Sequence, residues 1–133
     1  MKTRMYFAST IYLLCGTYYV VAGGLLFFVP RVFFERLFPV GSFNQHYMID
    51  LGSFLLPLGV ALILAACRSG QCTGVITIAA AASALHLISH LREGFHSGRD
   101  RVTDISLALV TLGLFAALFL SRLKRHPQNG EVS

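Results

Sequence analysis

The sequence predicts an all-α integral membrane protein: a four-helix bundle with a short interfacial helix between its first and second spans. Three observations predict it. Of 133 residues, 55% are hydrophobic and 13% charged, with a mean hydropathy of +0.66, whereas a soluble domain is charged at roughly a quarter of its positions. The apolar residues gather into four runs, about 6–29, 47–67, 74–91 and 105–123. Each is near the ~20 residues a helix needs to cross ~30 Å of hydrocarbon. Between the first two runs lies Pro30-Arg-Val-Phe-Phe-Glu-Arg-Leu-Phe-Pro39, too short to span. Backbone polar groups in lipid must be satisfied within their own segment, so the spans are helices. A chain of this length holds a single domain, residues 1–133.

The first run is long and aromatic-rich and lacks a small-x-small cleavage site, so it reads as a retained helix and not a signal peptide. The Pro30–Pro39 stretch, with its aromatics and paired charges, fits a short helix lying in the headgroup layer. Residues 68–73 are few enough to make the second and third spans a tight antiparallel hairpin. The loop 93–103 is longer and polar, and the tail from His126 reads as disordered. Gly16, Ala22, Gly23 and Gly24, Gly52 and Gly59, and Ala79–Ala82 with Ala84 are small residues of the kind that let membrane helices approach closely.

Orientation follows from Lys and Arg outside the spans. Four spans put both termini on one side. That side holds Lys2, Arg4, Arg68, Arg122, Lys124 and Arg125, against Arg31, Arg36, Arg92, Arg99 and Arg101 on the other. The bias of six to five places both termini in the cytoplasm. The net charge of +5 then serves attraction to anionic lipid and not to nucleic acid. Cys15 lies inside the first span; Cys67 and Cys72 flank the short hairpin loop and read as free thiols on a reducing side.

The ionisable residues near the membrane fall into stripes. His46, Asp50, Ser53 and Pro57 follow i, i+4, i+7, i+11 along one face of the second span. Ser83, His86, His90 and Glu93 follow i, i+3, i+7, i+10 in the third, and Asp104 and Thr111 share a face of the fourth. Measured from the hairpin loop at ~1.5 Å per residue, Asp50 stands ~25 Å up and His90 ~24 Å up. Tyr18 and Tyr19 reach the level of His86, so the polar groups are expected to converge near the face opposite the termini. Pro57 frees the carbonyl of Ser53, which would point into the same pocket if that face turns inward.

His and Asp at this spacing on facing helices can place several ligands around one ion. His46, Asp50, His86 and His90 are therefore candidate metal ligands, for zinc, iron, copper or manganese. Tyr18, Tyr19 and Asp104 are candidates for the surrounding cofactor-binding shell. The same groups suit a proton relay, or a general acid and base over a lipophilic substrate. Haem ranks lower, since His86 and His90 share one helix face and cannot take opposite sides of one ring. His96 and His126 read as headgroup-layer residues and Arg92 with Glu93 as an interfacial pair. Buried ionisable groups are costly in membranes, which favours a task for Asp50, His86 and His90.

The Gly23-Gly-Leu-Leu-Phe-Phe-Val-Pro30 end of the first span, the amphipathic stretch behind it, and Asp50-Leu-Gly-Ser-Phe-Leu-Leu-Pro-Leu-Gly-Val-Ala-Leu-Ile-Leu-Ala-Ala66 resemble the DoxX-like small bacterial membrane proteins. The resemblance implies four helices with both termini on one side and a bacterial inner membrane. Some members of that group are linked to quinone-coupled sulfur oxidation; the His86-x3-His90 pair maps onto no motif of the group.

The residues thus support a membrane protein whose His/Asp pocket binds a metal ion or a quinone-like or lipid-like molecule. A different class remains open beside it: a non-catalytic accessory subunit whose polar residues lock helices, join copies of the chain or dock a membrane partner. A transporter is disfavoured, because four spans without an inverted repeat need oligomerisation to make a path. The charge bias predicts that reporter fusions at the C-terminus read cytoplasmic in bacterial cells; a periplasmic readout would reverse the placement of the pocket.

Overall fold

The computed structural model describes residues 2–37, 39, 41–67, 73–93 and 98–122. Five helices occur there: α1 Lys2–Phe28, α2 Pro30–Arg36, α3 Gln45–Cys67, α4 Thr73–Glu93 and α5 Gly98–Arg122. Four are long and apolar enough to cross a membrane, over Tyr6–Phe28, Gln45–Cys67, Thr73–Arg92 and Arg101–Ser121. The all-α class, the four spans and the short intervening helix are those the sequence predicts. α5 starts seven residues before the apolar run does, because the polar turn before Ile105 continues the helix beyond its apolar part. Cys72, His96, His126 and the loops 68–72 and 94–97 lie outside the described residues.

Local chemistry sets the ends. Pro30 opens α2 at the first helical position, where a missing N–H costs nothing and φ is already helical. α2 has no buried residue, and Arg31 pairs with Glu35 across one turn at 2.8 Å. Gly41 takes φ of 69°, a left-handed value that a glycine adopts without strain, and the chain turns there into α3. Asn44 then caps α3: its side-chain oxygen accepts the Tyr47 amide at 3.1 Å. Within the first span, the exposed threonine hydroxyls return to their own helix. Thr10 donates to the Tyr6 carbonyl and Thr17 to that of Leu13, both at 2.8 Å, so neither threonine leaves its hydroxyl proton facing lipid.

The tightest packing joins α1 to α3. Gly16 meets Gly59 and Gly23 meets Gly52, so the two helices run antiparallel with matched seven-residue spacing. A Cβ on Gly23 would sit 2.5 Å from the Leu56 amide nitrogen, and one on Gly59 2.6 Å from that of Val20. Backbone touches backbone along this contact, the membrane use of small residues. α1 also packs on α5, and α5 on α4, whereas α3 meets α4 only sparingly. The tight hairpin expected of the second and third spans is thus not the main contact of either helix. The glycines draw α3 onto α1 instead.

The apolar core fills the half of the bundle nearest the termini. Tyr12 and Cys15 of α1 meet Leu62 and Ala65 of α3, Ile76 and Ala79 of α4, and Leu114 and Ala117 of α5. Tyr12 lies flat in this core with its hydroxyl 2.7 Å from that of Ser121. Gly23→Ala or Gly59→Ala is expected to lower stability by about 1–3 kcal/mol, the usual cost of overpacking. Gly24, with nothing within 4 Å of its added Cβ, should accept alanine without loss. Thermal unfolding of the three variants in detergent checks both expectations.

Candidate functional site

The half of the bundle away from the core carries the polar groups. α4 presents Ser83, His86 and His90 on the face that turns inward, and α5 presents Asp104 and Thr111. Asp104 is 6% exposed, and its carboxylate lies 2.9 Å from Nδ1 of His90. The His90 side chain keeps 23% of its surface and that of Asp104 8%, so the pair is largely withdrawn from the surroundings. The rings of His86 and His90 meet edge to face, centroids 4.9 Å apart. With Asp104 ionised, Nδ1 of His90 donates to the carboxylate and Nε2 occupies the opposite corner of the ring.

α1 supplies the third wall. The Tyr19 hydroxyl and the Ser83 hydroxyl are hydrogen-bonded across the bundle diagonal, and Ser83 also donates to the Ala79 carbonyl at 2.6 Å. Tyr18, more exposed, reaches the Ser106 hydroxyl at 3.1 Å, and the two tyrosine rings pack edge to face. Tyr19 thus meets α4 at Ser83 and Tyr18 meets α5 at Ser106, while His86, His90 and Asp104 form a group of their own between α4 and α5.

His46 and Asp50 are placed elsewhere. They pair with each other across one turn of α3, Nε2 to carboxylate oxygen at 3.3 Å, with side chains 90% and 56% exposed. Ser53 and Pro57, on the same stripe, are exposed as well, and the Ser53 hydroxyl bonds the Asp50 carbonyl at 2.7 Å. The whole stripe faces out of the bundle, so the carbonyl freed by Pro57 does not line an internal pocket. The expected set of His46, Asp50, His86 and His90 thus divides. Among the described residues, no group of three or more His, Cys, Asp or Glu side chains is placed to hold one metal ion.

The sequence reading gave Asp104 a supporting role. The structure makes it the direct partner of His90. Ser106 is a residue the sequence analysis does not single out; its signal is its place at the start of the fourth apolar run, two residues after Asp104. Cys15 is buried and its thiol points to the Val110 carbonyl at 3.9 Å, while Cys67 is exposed and free.

Helix length and composition define the chain as a small multi-pass membrane protein with four candidate spans. Comparison with protein-family models, with curated proteins and with solved structures gives no match to it.

The pairing has an energetic signature. Removing one member of a buried hydrogen-bonded pair strands the other, at about 1–3 kcal/mol. Asp104→Ala and His90→Ala are each expected to destabilise by that order, and the double variant by clearly less than their sum. Asp50→Ala combined with His90→Ala should be additive, since no contact joins them. Unfolding midpoints across both double-mutant cycles distinguish the two cases.

Proposed function

We propose that this protein binds a lipophilic molecule with a carbonyl- or hydroxyl-bearing head, of the quinone class, at His90 and Asp104. There it exchanges a proton with that head. The observation that carries this reading is the buried contact between the Asp104 carboxylate and Nδ1 of His90. A carboxylate on Nδ1 fixes the tautomer and leaves a lone pair on Nε2, the arrangement that makes imidazole a directed base. A ligand hydroxyl donates to that nitrogen. Once protonated, the same nitrogen donates to a carbonyl. Carboxylate and ring then share the added positive charge. Tyr18, Tyr19 and Ser106 supply further hydroxyls beside the pair, and the bilayer supplies a ligand soluble in it.

The pairing of donors in twos weighs against zinc, iron or copper shared by His46, Asp50, His86 and His90. The residues that resemble DoxX-like proteins include Gly23, Gly52 and Gly59, which in this fold serve the α1–α3 contact. Within the proposal that resemblance supports a bacterial inner membrane as the setting, with both termini cytoplasmic and the site toward the outer face.

The outward stripe on α3 favours a second reading, an accessory subunit that docks a membrane partner through His46 and Asp50. Ionisable side chains on a lipid-facing span are expensive, and a partner helix would cover them. His46→Ala with Asp50→Ala would then disperse a cross-linked complex in native membranes.

The first reading is tested by calorimetric titration of the protein in nanodiscs with a hydroquinone carrying a decyl chain, whose hydroxyl donates to Nε2 of His90. Asp104→Asn lets the side-chain amide donate to Nδ1 and favours the other tautomer, so affinity is expected to fall about tenfold or more, on the scale of a hydrogen bond to a charged group. His46→Ala should bind as the wild type does. Unchanged binding by Asp104→Asn would sink the assignment of the pair as the site.

A further inference from the structure

We infer that the outward face of α3 pairs with the same face of a second copy of this chain, so that two parallel α3 helices form the centre of a two-fold dimer. The inference takes up the stripe that the accessory-subunit reading gives to a partner and commits it to a copy. It stands apart from the head site at His90. Two carboxylates lie inside the four spans, Asp50 and Asp104, and each pairs with a histidine. Asp104 and His90 are largely covered between α4 and α5, whereas Asp50 and His46 are left open on the outside of α3. Asp50 stands ~25 Å from the hairpin end of its span, short of the ~30 Å that hydrocarbon occupies. An ionisable group at that depth is costly unless protein covers it.

The surroundings of that pair have the spacing of a helix seam. His46, Asp50, Ser53, Pro57, Val60 and Leu64 follow one another at alternate steps of four and three, and Cys67 completes the last step. All seven are exposed. A period of 3.5 residues kept along a whole span suits two helices that cross at about 20° and wind left-handedly around each other. Contact with lipid asks only for apolar side chains. The outward face of α5 meets that need with Ile105, Leu109, Leu112 and Phe119. That of α3 begins instead with an imidazole, a carboxylate and a hydroxyl.

A second copy fits because the stripe is complementary to itself. Insertion gives every copy the same orientation in the membrane, so two α3 helices that meet are parallel and their stripes stand in register. Positions 46 and 50 are one turn apart. Each His46 therefore comes within a turn of the carboxylate on the other copy as well as of its own. Imidazole N–H donates and carboxylate accepts, so one contact covers both polar pairs. Toward the hairpin end, Val60 and Leu64 meet their counterparts. The glycine contact sets α1 about 130° around α3 from this stripe, so α1 does not stand between the copies. A foreign helix would need an acid and a base one turn apart at the same depth. α3 of a second copy carries both.

The test uses a native cysteine. Facing seam positions bring Cα atoms within the roughly 6 Å that a disulfide spans. Cys67 is exposed at the end of the stripe, and Cys15 is buried. In membranes holding Cys72→Ser, oxidation by copper phenanthroline is expected to link most of the protein through Cys67 into a species of twice the chain's mass. Leu112→Cys on the outward face of α5, with Cys67→Ser and Cys72→Ser, should give little of it. Photobleaching of labelled protein at low density in liposomes should show two copies per particle. His46→Ala with Asp50→Ala should lower the association constant about tenfold or more. Both side chains are exposed, so each copy keeps its fold, and hydroquinone affinity at His90 stays at the wild-type value. Linkage at Cys67 no faster than at position 112 overturns the α3 seam. A linked product of any other mass overturns the second copy and gives the stripe to a different subunit. Single copies in liposomes, or a dimer that the double variant leaves equally strong, overturn the inference as well. Each of these results leaves the head site standing, since hydroquinone titration tests it separately.

Discussion

The backbone contact between α1 and α3 determines the rest of the architecture. Gly16 and Gly23 meet Gly59 and Gly52 with no side chain between them. A helix turns ~100° per residue, so fixing one face fixes all others. With Gly52 and Gly59 on α1, the Leu62 and Ala65 stripe lies about 100° to one side, toward α4 and α5. The His46, Asp50, Ser53 and Pro57 stripe lies about 130° to the other side and faces out. On α1 the same constraint turns Tyr12, Cys15 and Tyr19 toward the centre, where they meet the remaining helices. Four glycines thus decide which polar groups enter the bundle and which do not.

This explains why the molecule has two unlike halves. Near the termini, small alanines on α4 and α5 let Tyr12, Leu62 and Leu114 interlock, and burial is nearly complete. Toward the other face, α1 and α3 still touch closely through Gly23 and Gly52, but α4 no longer has an apolar partner of matching shape. Its inward side chains there are His86 and His90. Polar rings cannot fill a hydrocarbon-sized gap without hydrogen-bonding partners. Asp104 of α5 is that partner for His90, while Tyr19 pairs with Ser83 and Tyr18 with Ser106.

Much of this was legible in the sequence, and the boundary of legibility is physical. Hydrophobic runs of the right length state the number of spans directly, because lipid tolerates little else. The short helix after Pro30 was legible from its prolines and paired charges. The start of α5 was not, since hydropathy marks the embedded part of a helix and Gly98 to Asp104 are polar. Stripe periodicity joins His90 with His86 and with Ser83, and Tyr19 meets that stripe at Ser83. Periodicity states which residues share a face, yet it does not state which way the face turns. That is why His46 and Asp50, equal to His90 in spacing and height, lie outside the bundle. The glycines that decide the matter were visible as small residues, but their partners were not.

The His90–Asp104 pair is better understood as positioning than as stabilisation. Burying a carboxylate and an imidazole costs several kcal/mol before their attraction is counted, and well-packed apolar side chains often do as well or better. A bundle needing only cohesion at this level would be served by alanine on α4 and leucine on α5, as it is one half lower. The chain instead spends a buried carboxylate on orienting one imidazole, beside a second imidazole and two tyrosines. The contrast with His46 and Asp50 sharpens the point. The same two residue types, paired through Nε2 in an exposed place, can exchange partners with water or headgroups, and their geometry is loosely held. At His90 the contact is made through Nδ1, is shorter, and is largely covered, with side chains 23% and 8% exposed. Enclosure removes the competing partners, so the ring has one orientation and one nitrogen directed away from the carboxylate. A fixed imidazole, held by a carboxylate at the cost of burying both groups, is an arrangement that cohesion alone does not call for, and that the proposed recognition of a ligand head does.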